Sequence, residues 1–209
     1  MKTKLFLLFI FTSVFAFAQE DKKESEIRTL AGPKGVGFYV AGAAGYSQIE
    51  SNDALIIGSR AGLIFNHSIA VGLAGYGFFN NLGGYHWPVG TEAWYSLSGG
   101  YGGIFIEPII AGSKPVHVSF PVLFGMGGAG LVRVTGNSTW EDPFNISLPE
   151  NDIFFIVEPA MDVELNLTNF LRTALSLSNR FTSNVELTGK APDVLKGWHL
   201  GLIFKLGKF

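Results

Sequence analysis

The chain has 209 residues, with Lys+Arg 15 against Asp+Glu 17 and a formal net charge of -2. That balance gives no electrostatic ground for a nucleic-acid partner, and the length suits a single domain of generous size. Cys 0 removes disulfides, thiolate metal sites, cysteine nucleophiles and the acylated N-terminal cysteine that a lipoprotein needs. Charged residues make up only 15%, while Gly 27 and Phe 19 are both high. Glycine weakens an isolated strand, so its abundance beside aromatics points to close backbone packing or bends within a sheet.

Residues 1–18 begin with Lys2 and Lys4, run apolar from Leu5 to Phe17 and close on Ala16-Phe17-Ala18, a small-x-small site. The apolar run is shorter than the ~20 residues of a spanning helix. It reads as a secretory signal peptide cleaved before Gln19. Residues 19–35 form a charged, patternless arm, and the alternating runs occupy residues 36–209. The first predicted strand, about 36–49, sets Phe38, Val40, Ala44 and Tyr46 against small residues and Tyr39. The second, about 57–65, sets Ala61, Leu63 and Phe65 against Arg60, Gly62 and Ile64. A turn at Asn66-His67-Ser68 leads to a third strand, about 69–79. A long loop over 80–92 carries His86-Trp87-Pro88. The fourth strand runs about 94–110 and, after a short connection at 111–115, the fifth runs about 116–134. A long polar loop is expected over 135–151.

The sixth strand, 152–167 (DIFFIVEPAMDVELNL), carries the plainest pattern. Ile153, Phe155, Val157, Met161, Val163 and Leu165 make one row, and Glu158, Asp162 and Glu164 stand in the other. Period-two alternation means a strand with two different solvents on its faces. Its length suits the ~9–11 residues of a tilted strand crossing a bilayer. A turn at Thr168-Asn169-Phe170, a seventh strand at about 171–182, a last loop over 183–196 and an eighth strand at 197–209 complete the chain.

About eight strands, joined alternately by short turns and longer loops, predict an all-β, antiparallel up-and-down transmembrane barrel. In a soluble barrel the apolar row would face inward. Here the other row is mostly Gly, Ala and Ser with isolated charges, a filling for a narrow lumen. Tyr46, Phe79, Trp94, Tyr95, Phe181 and Trp198 fall near the long-loop ends of strands, where interfacial girdles occur.

The signal peptide, small-residue rows and terminal strand WHLGLIFKLGKF resemble the small outer-membrane β-barrels of Gram-negative bacteria, of the OmpA/OmpX type. The resemblance covers residues 36–209 and lies in pattern more than in any motif. It implies short turns facing the periplasm, both chain ends on that side, outer-membrane lipid as surroundings and the barrel-assembly machinery as a partner during biogenesis. It also implies an extracellular partner for loops 80–92, 135–151 and 183–196. In that family a terminal aromatic in phase with the last strand is read by the machinery. Phe209 is out of phase with Leu202, Phe204 and Leu206.

Three constellations could carry chemistry. Interior charges come first: a three-residue turn sets Glu158 opposite Arg180 and Asn166 opposite Arg172, with Glu164 diagonal to it. Arg60, Glu107, Arg133, Asp162 and Lys205 join that network, as a salt-bridged plug or as the lining of a narrow pore for ions or solutes. Second, His117-Val118-Ser119 puts a His/Ser pair on one face, with Glu107 a neighbour on the preceding strand. That set resembles outer-membrane lipid A hydrolases, but the row faces inward, away from lipid. Third, Gly125-Met126-Gly127-Gly128-Ala129-Gly130 fits G-x-G-x-x-G by spacing, yet lies in a strand with no helical pattern after it. Histidines at 67, 86, 117 and 199 show no metal-ligand spacing, and neither cofactor nor metal is expected. The expected function is a non-enzymatic outer-membrane barrel with a structural or surface-interaction role.

Overall fold

The computed structural model describes residues 35–80, 93–136 and 144–209. The signal peptide, the charged arm, loop 81–92 with His86-Trp87-Pro88, and residues 137–143 lie outside them. So do the side chains of Trp94 and Tyr95.

Nine antiparallel segments form one sheet: β1 (Val36–Ile49), β2 (Asn52–Phe65), β3 (Ile69–Asn80), β4 (Ala93–Ile110), β5 (Val116–Ser119), β6 (Val122–Gly136), β7 (Phe144–Asn166), β8 (Leu171–Thr182) and β9 (Gly197–Lys208). Sequential neighbours pair, β1 pairs with β9, and β3 pairs with β4, so the sheet closes on itself. β5 and β6 are one strand interrupted at Phe120-Pro121, since both keep the same partners, β4 and β7. The barrel therefore has eight strands.

Its stagger follows from the pairing. From Ile110 on β4 the pairs lead through Val118, Val163, Leu175, Leu202, Ala44, Ile57 and Gly77 and return to β4 at Gly100. Ile110 and Gly100 lie ten residues apart on the same strand, so the shear number is ten. Eight strands at that shear tilt by about 40° and close at a backbone radius of about 8 Å. Such a lumen holds side chains and little else.

Alternation assigns the two faces along β7 as its sequence predicts. Ile153 is 69% exposed and Phe154 1%. Around the barrel the outward row includes Val40, Leu73, Ile104, Met126, Leu175 and Leu202, all exposed. A belt of that size is untenable against water and natural against acyl chains. Inward, Tyr39, Tyr76, Phe78, Tyr101, Phe105 and Phe154 fill the lumen. Glycines make room for them: a Cβ on Gly58 would sit 2.1 Å from the Tyr76 ring, and one on Gly127 2.7 Å from that of Phe154. The G-x-G-x-x-G spacing thus serves ring packing inside β6.

Three features depart from the predicted strands. Pro108, Pro121 and Pro159 fall on adjacent strands at one level, and none has an N–H for the ladder. The loop expected over 135–151 is mostly strand, because β6 and β7 continue as a hairpin past the other strands, with a register shift between Leu131 and Arg133. The loop over 183–196 is folded into the mouth. Its Val185, Leu187, Val194 and Leu195 are buried in one cluster with Ile49, Ile56, Phe78, Leu97 and Phe154.

Candidate functional site

The polar residues that alternation turns inward gather in two groups. The larger lies toward the end with the short connections, built from β1, β4, β5, β7, β8 and β9 with β2 beside it. Lys205 donates to Glu107 and, at 2.7 Å, to Glu164. Ser119 Oγ stands 2.7 Å from Glu107 Oε1 and 2.6 Å from Glu164 Oε1, and its single proton serves one of them at a time. Tyr39 donates to the other oxygen of Glu107. His117 Nε2 is 3.2 Å from Glu164 Oε2, and Arg172 Nη1 is 3.8 Å from the same oxygen. Beside this group Arg60 bonds Asp162 at 2.9 Å and donates to the Tyr76 hydroxyl.

The smaller group lies toward the long-loop end. Ser178 donates to Glu158 at 2.5 Å, and His199 Nδ1 stands 3.6 Å from the same carboxylate. Arg180 donates to Ser47 Oγ at 2.7 Å and to the Leu195 carbonyl at 3.1 Å. Ser47 in turn donates to the Trp198 carbonyl.

The network expected from sequence is thus placed residue by residue. Glu107, Asp162, Glu164, Arg60, Arg172 and Lys205 come together. Glu158 and Arg180 share a level but take different partners. The β7–β8 register is the same on either side of Pro159, with Val157 opposite Phe181 and Ala160 opposite Ser178, so Glu158 stands opposite Arg180 as expected, but Glu158 turns to Ser178 and His199, and Arg180 to Ser47 and Leu195. Arg133 shares the inward row of β6 but lies past the last pair of β3 with β4, where it is exposed. His199, Ser178, Tyr39 and Ser47 were missed. Their inward parity was readable, but their partners sit on strands distant in sequence.

The His-x-Ser pair does not form a nucleophile and base. His117 addresses Glu164, and Ser119 addresses the two carboxylates. A serine nucleophile needs its base within hydrogen-bond reach. A metal is also poorly served. The carboxylates of Glu107, Asp162 and Glu164 lie within 4.8 Å of one another, but Lys205 and Arg60 already supply their cations. Glu107, Glu158, Asp162 and Glu164 face Arg60, Arg172, Arg180 and Lys205, four carboxylates against four cations.

Phe209 resolves its odd phase here. Its ring turns inward, stacks on Tyr39 at 6.4 Å between centroids and lies 3.8 Å from the Arg172 guanidinium.

A closed antiparallel meander of eight strands, belted with apolar residues and filled with paired charges, is the fold of a small transmembrane β-barrel. No protein-family model matches the sequence, and no curated protein matches it. Among solved structures the chain is similar to neisserial surface protein A (NspA), with a TM-score of 0.51 at 12% identity over 84% of this chain and 98% of that one. The N-terminal β-barrel domain of Pseudomonas aeruginosa OprF gives 0.43 at 11% identity, over 82% and 96%. Ail, the attachment invasion locus protein of Yersinia pestis, gives 0.41 at 12% identity, over 83% and 99%. At such identities the likeness to NspA speaks for the outer-membrane barrel fold and for nothing finer.

Proposed function

We propose that this protein is an integral outer-membrane barrel of a Gram-negative bacterium, exported by residues 1–18, that acts without enzymatic chemistry as a structural or surface-interaction protein. The carrying observation is the inversion of its two faces: a continuous apolar belt outside and an ion-paired filling within. In this orientation the short connections face the periplasm. The row of Leu202, Phe204 and Leu206 offers itself to the assembly machinery, since Phe209 is turned inward. The long connections face outward and are the place for an extracellular partner. Residues 183–196 are the exception, because they are spent on closing the mouth.

The test is membrane fractionation, followed by migration of the detergent-folded protein with and without boiling and by conductance in planar bilayers. A heat-shifting outer-membrane species without steady conductance is expected. A soluble periplasmic species would overturn the membrane reading. Steady channels would overturn the plug and favour a narrow pore.

A further inference from the structure

At the short-connection end the barrel opens into a cavity of about 460 Å³, lined by Gly112, Ser113, Asn166, Arg172 and Phe209 among others. Arg172 is 5% exposed, and of the cations in that group it is the least compensated. Lys205 holds two carboxylates and Arg60 holds one at 2.9 Å. Arg172 approaches only Glu164, at 3.8 Å, on an oxygen that His117 already faces. The edge of a guanidinium that carries Nε and Nη2 is the fork that fits an oxyanion with two bonds. On Arg172 the Nε has no partner, and Nη2 has one long bond, 3.4 Å to the Gly112 carbonyl. Phe209 lies against the face of that guanidinium, with Tyr39 stacked behind, which fixes the plane of the fork.

Asn166 adds a second unpartnered group at the same mouth. Its amide nitrogen donates to the Lys114 carbonyl at 2.7 Å, leaving the buried Oδ1 without a donor. The surroundings favour negative charge. His67, Lys114 and Lys208 are exposed at this end, and its short connections at 66–68, 111–115 and 167–170 contain no acid. The opposite end carries Glu50, Asp53, Glu150, Asp152, Glu186 and Asp193 against Arg133, Lys190 and Lys196.

We propose that the short-connection mouth is a binding site for a small oxyanion that carries a neighbouring N–H or O–H. Arg172 takes the oxyanion and Asn166 Oδ1 accepts from the donor. A peptide carboxylate with its preceding amide has this chemistry, and so does a hydrogen phosphate. The inference does not depend on the surface-interaction role, because it concerns the other end of the barrel.

The experiment is amide NMR of the refolded full chain in micelles, titrated with N-acetyl-dialanine, with its C-terminal amide and with inorganic phosphate. Saturable shifts at Gly112, Ser113, Asn166 and Asn169 with the acid and not the amide support a peptide carboxylate. The same shifts with phosphate alone support the oxyanion site with phosphate as its source. Arg172→Lys keeps the charge and loses the fork, and is expected to weaken binding about tenfold or more. Ser113→Glu, on the exposed lip, should weaken it comparably without touching the interior, and decides the matter should Arg172→Lys fail to fold. Equal shifts with acid and amide, shifts confined to Lys114 and Lys208 that vanish with salt, or binding unchanged in Ser113→Glu would each overturn the proposal.

Discussion

The two ends of the lumen are closed by different means. Toward the short connections the filling is side chains of the strands themselves, Lys205, Glu107, Glu164, Arg172, Arg60 and Asp162, locked by charge. Toward the long connections it is an inserted loop. Val185, Leu187, Val194 and Leu195 sit among strand residues, and the loop is tied at its margin. Glu186 and Thr188 donate their amides to Asp152 and Glu150, and Lys190 pairs with Glu50 at 2.5 Å. Ion pairs within the strands belong to the barrel and fail only with it. A loop held by its own apolar side chains and rim contacts is a separate unit, able to open while the barrel stands. The lesson is that one lumen contains a global and a local closure.

The largest test of this contrast is Lys205→Ala, which leaves Glu107 and Glu164 buried without their shared cation. About 3–5 kcal/mol of barrel stability should be lost, read by urea unfolding in micelles. A wild-type midpoint would show that the pairs carry no weight. Leu195→Ala removes part of the loop plug and should cost about 2 kcal/mol or more. That loss should appear as faster proteolysis within 183–196 while the boiled-gel shift persists. Loss of the shift itself would merge the two closures into one.

Glu158→Ala should cost about 1–3 kcal/mol, because Ser178 and His199 lose their acceptor inside the lumen. Arg180 keeps Ser47 and Leu195, so Arg180→Ala combined with Glu158→Ala should be near additive. Strong coupling would restore the ion pair across β7 and β8.

The rim also gives the upper closure a pH limit. Glu150 and Asp152 lie on the part of β7 that rises past β8, beyond the belt. The Thr188 amide holds the Glu150 carboxyl below the usual range, and the Glu186 and Ile153 amides do the same for Asp152. A depressed carboxyl stabilises the docked loop above its unfolded pKa of about 4 and loses that effect as pH falls through the lowered value. Protection of the Glu186 and Thr188 amides should therefore hold at neutral pH and decline only below about pH 4. Decline near neutrality would exclude these carboxylates as the ties. Smallest of all, Lys190→Ala should change stability by less than about 1 kcal/mol, since the Glu50 pair is exposed.

Much of this protein is legible in one dimension because a strand's side chains must alternate. From β7 alone, Ile153, Phe155 and Val157 go to one solvent and Phe154, Glu158 and Asp162 to the other. The eight-strand meander follows from repeating that pattern between turns. What alternation cannot state is level, partner or closure. The ten-residue stagger is a property of the closed ring and decides that Lys205, on the last strand, meets Glu107 and Glu164 rather than other acids of the same row. Glu158 and Arg180 keep the register that alternation predicts, yet their bonds go to Ser178, His199, Ser47 and the inserted loop, which no local pattern names. Phe209 points inward with the odd row of Ile203 and Lys205, where Tyr39 and Arg172 offer its ring a seat. Residues 183–196 read as a free loop, for nothing local tells Val185 and Leu195 that an open apolar mouth lies beneath them. Face is a local property of the backbone, fixed by its period of two. Depth and partnership depend on how far the strands slide before the ring closes.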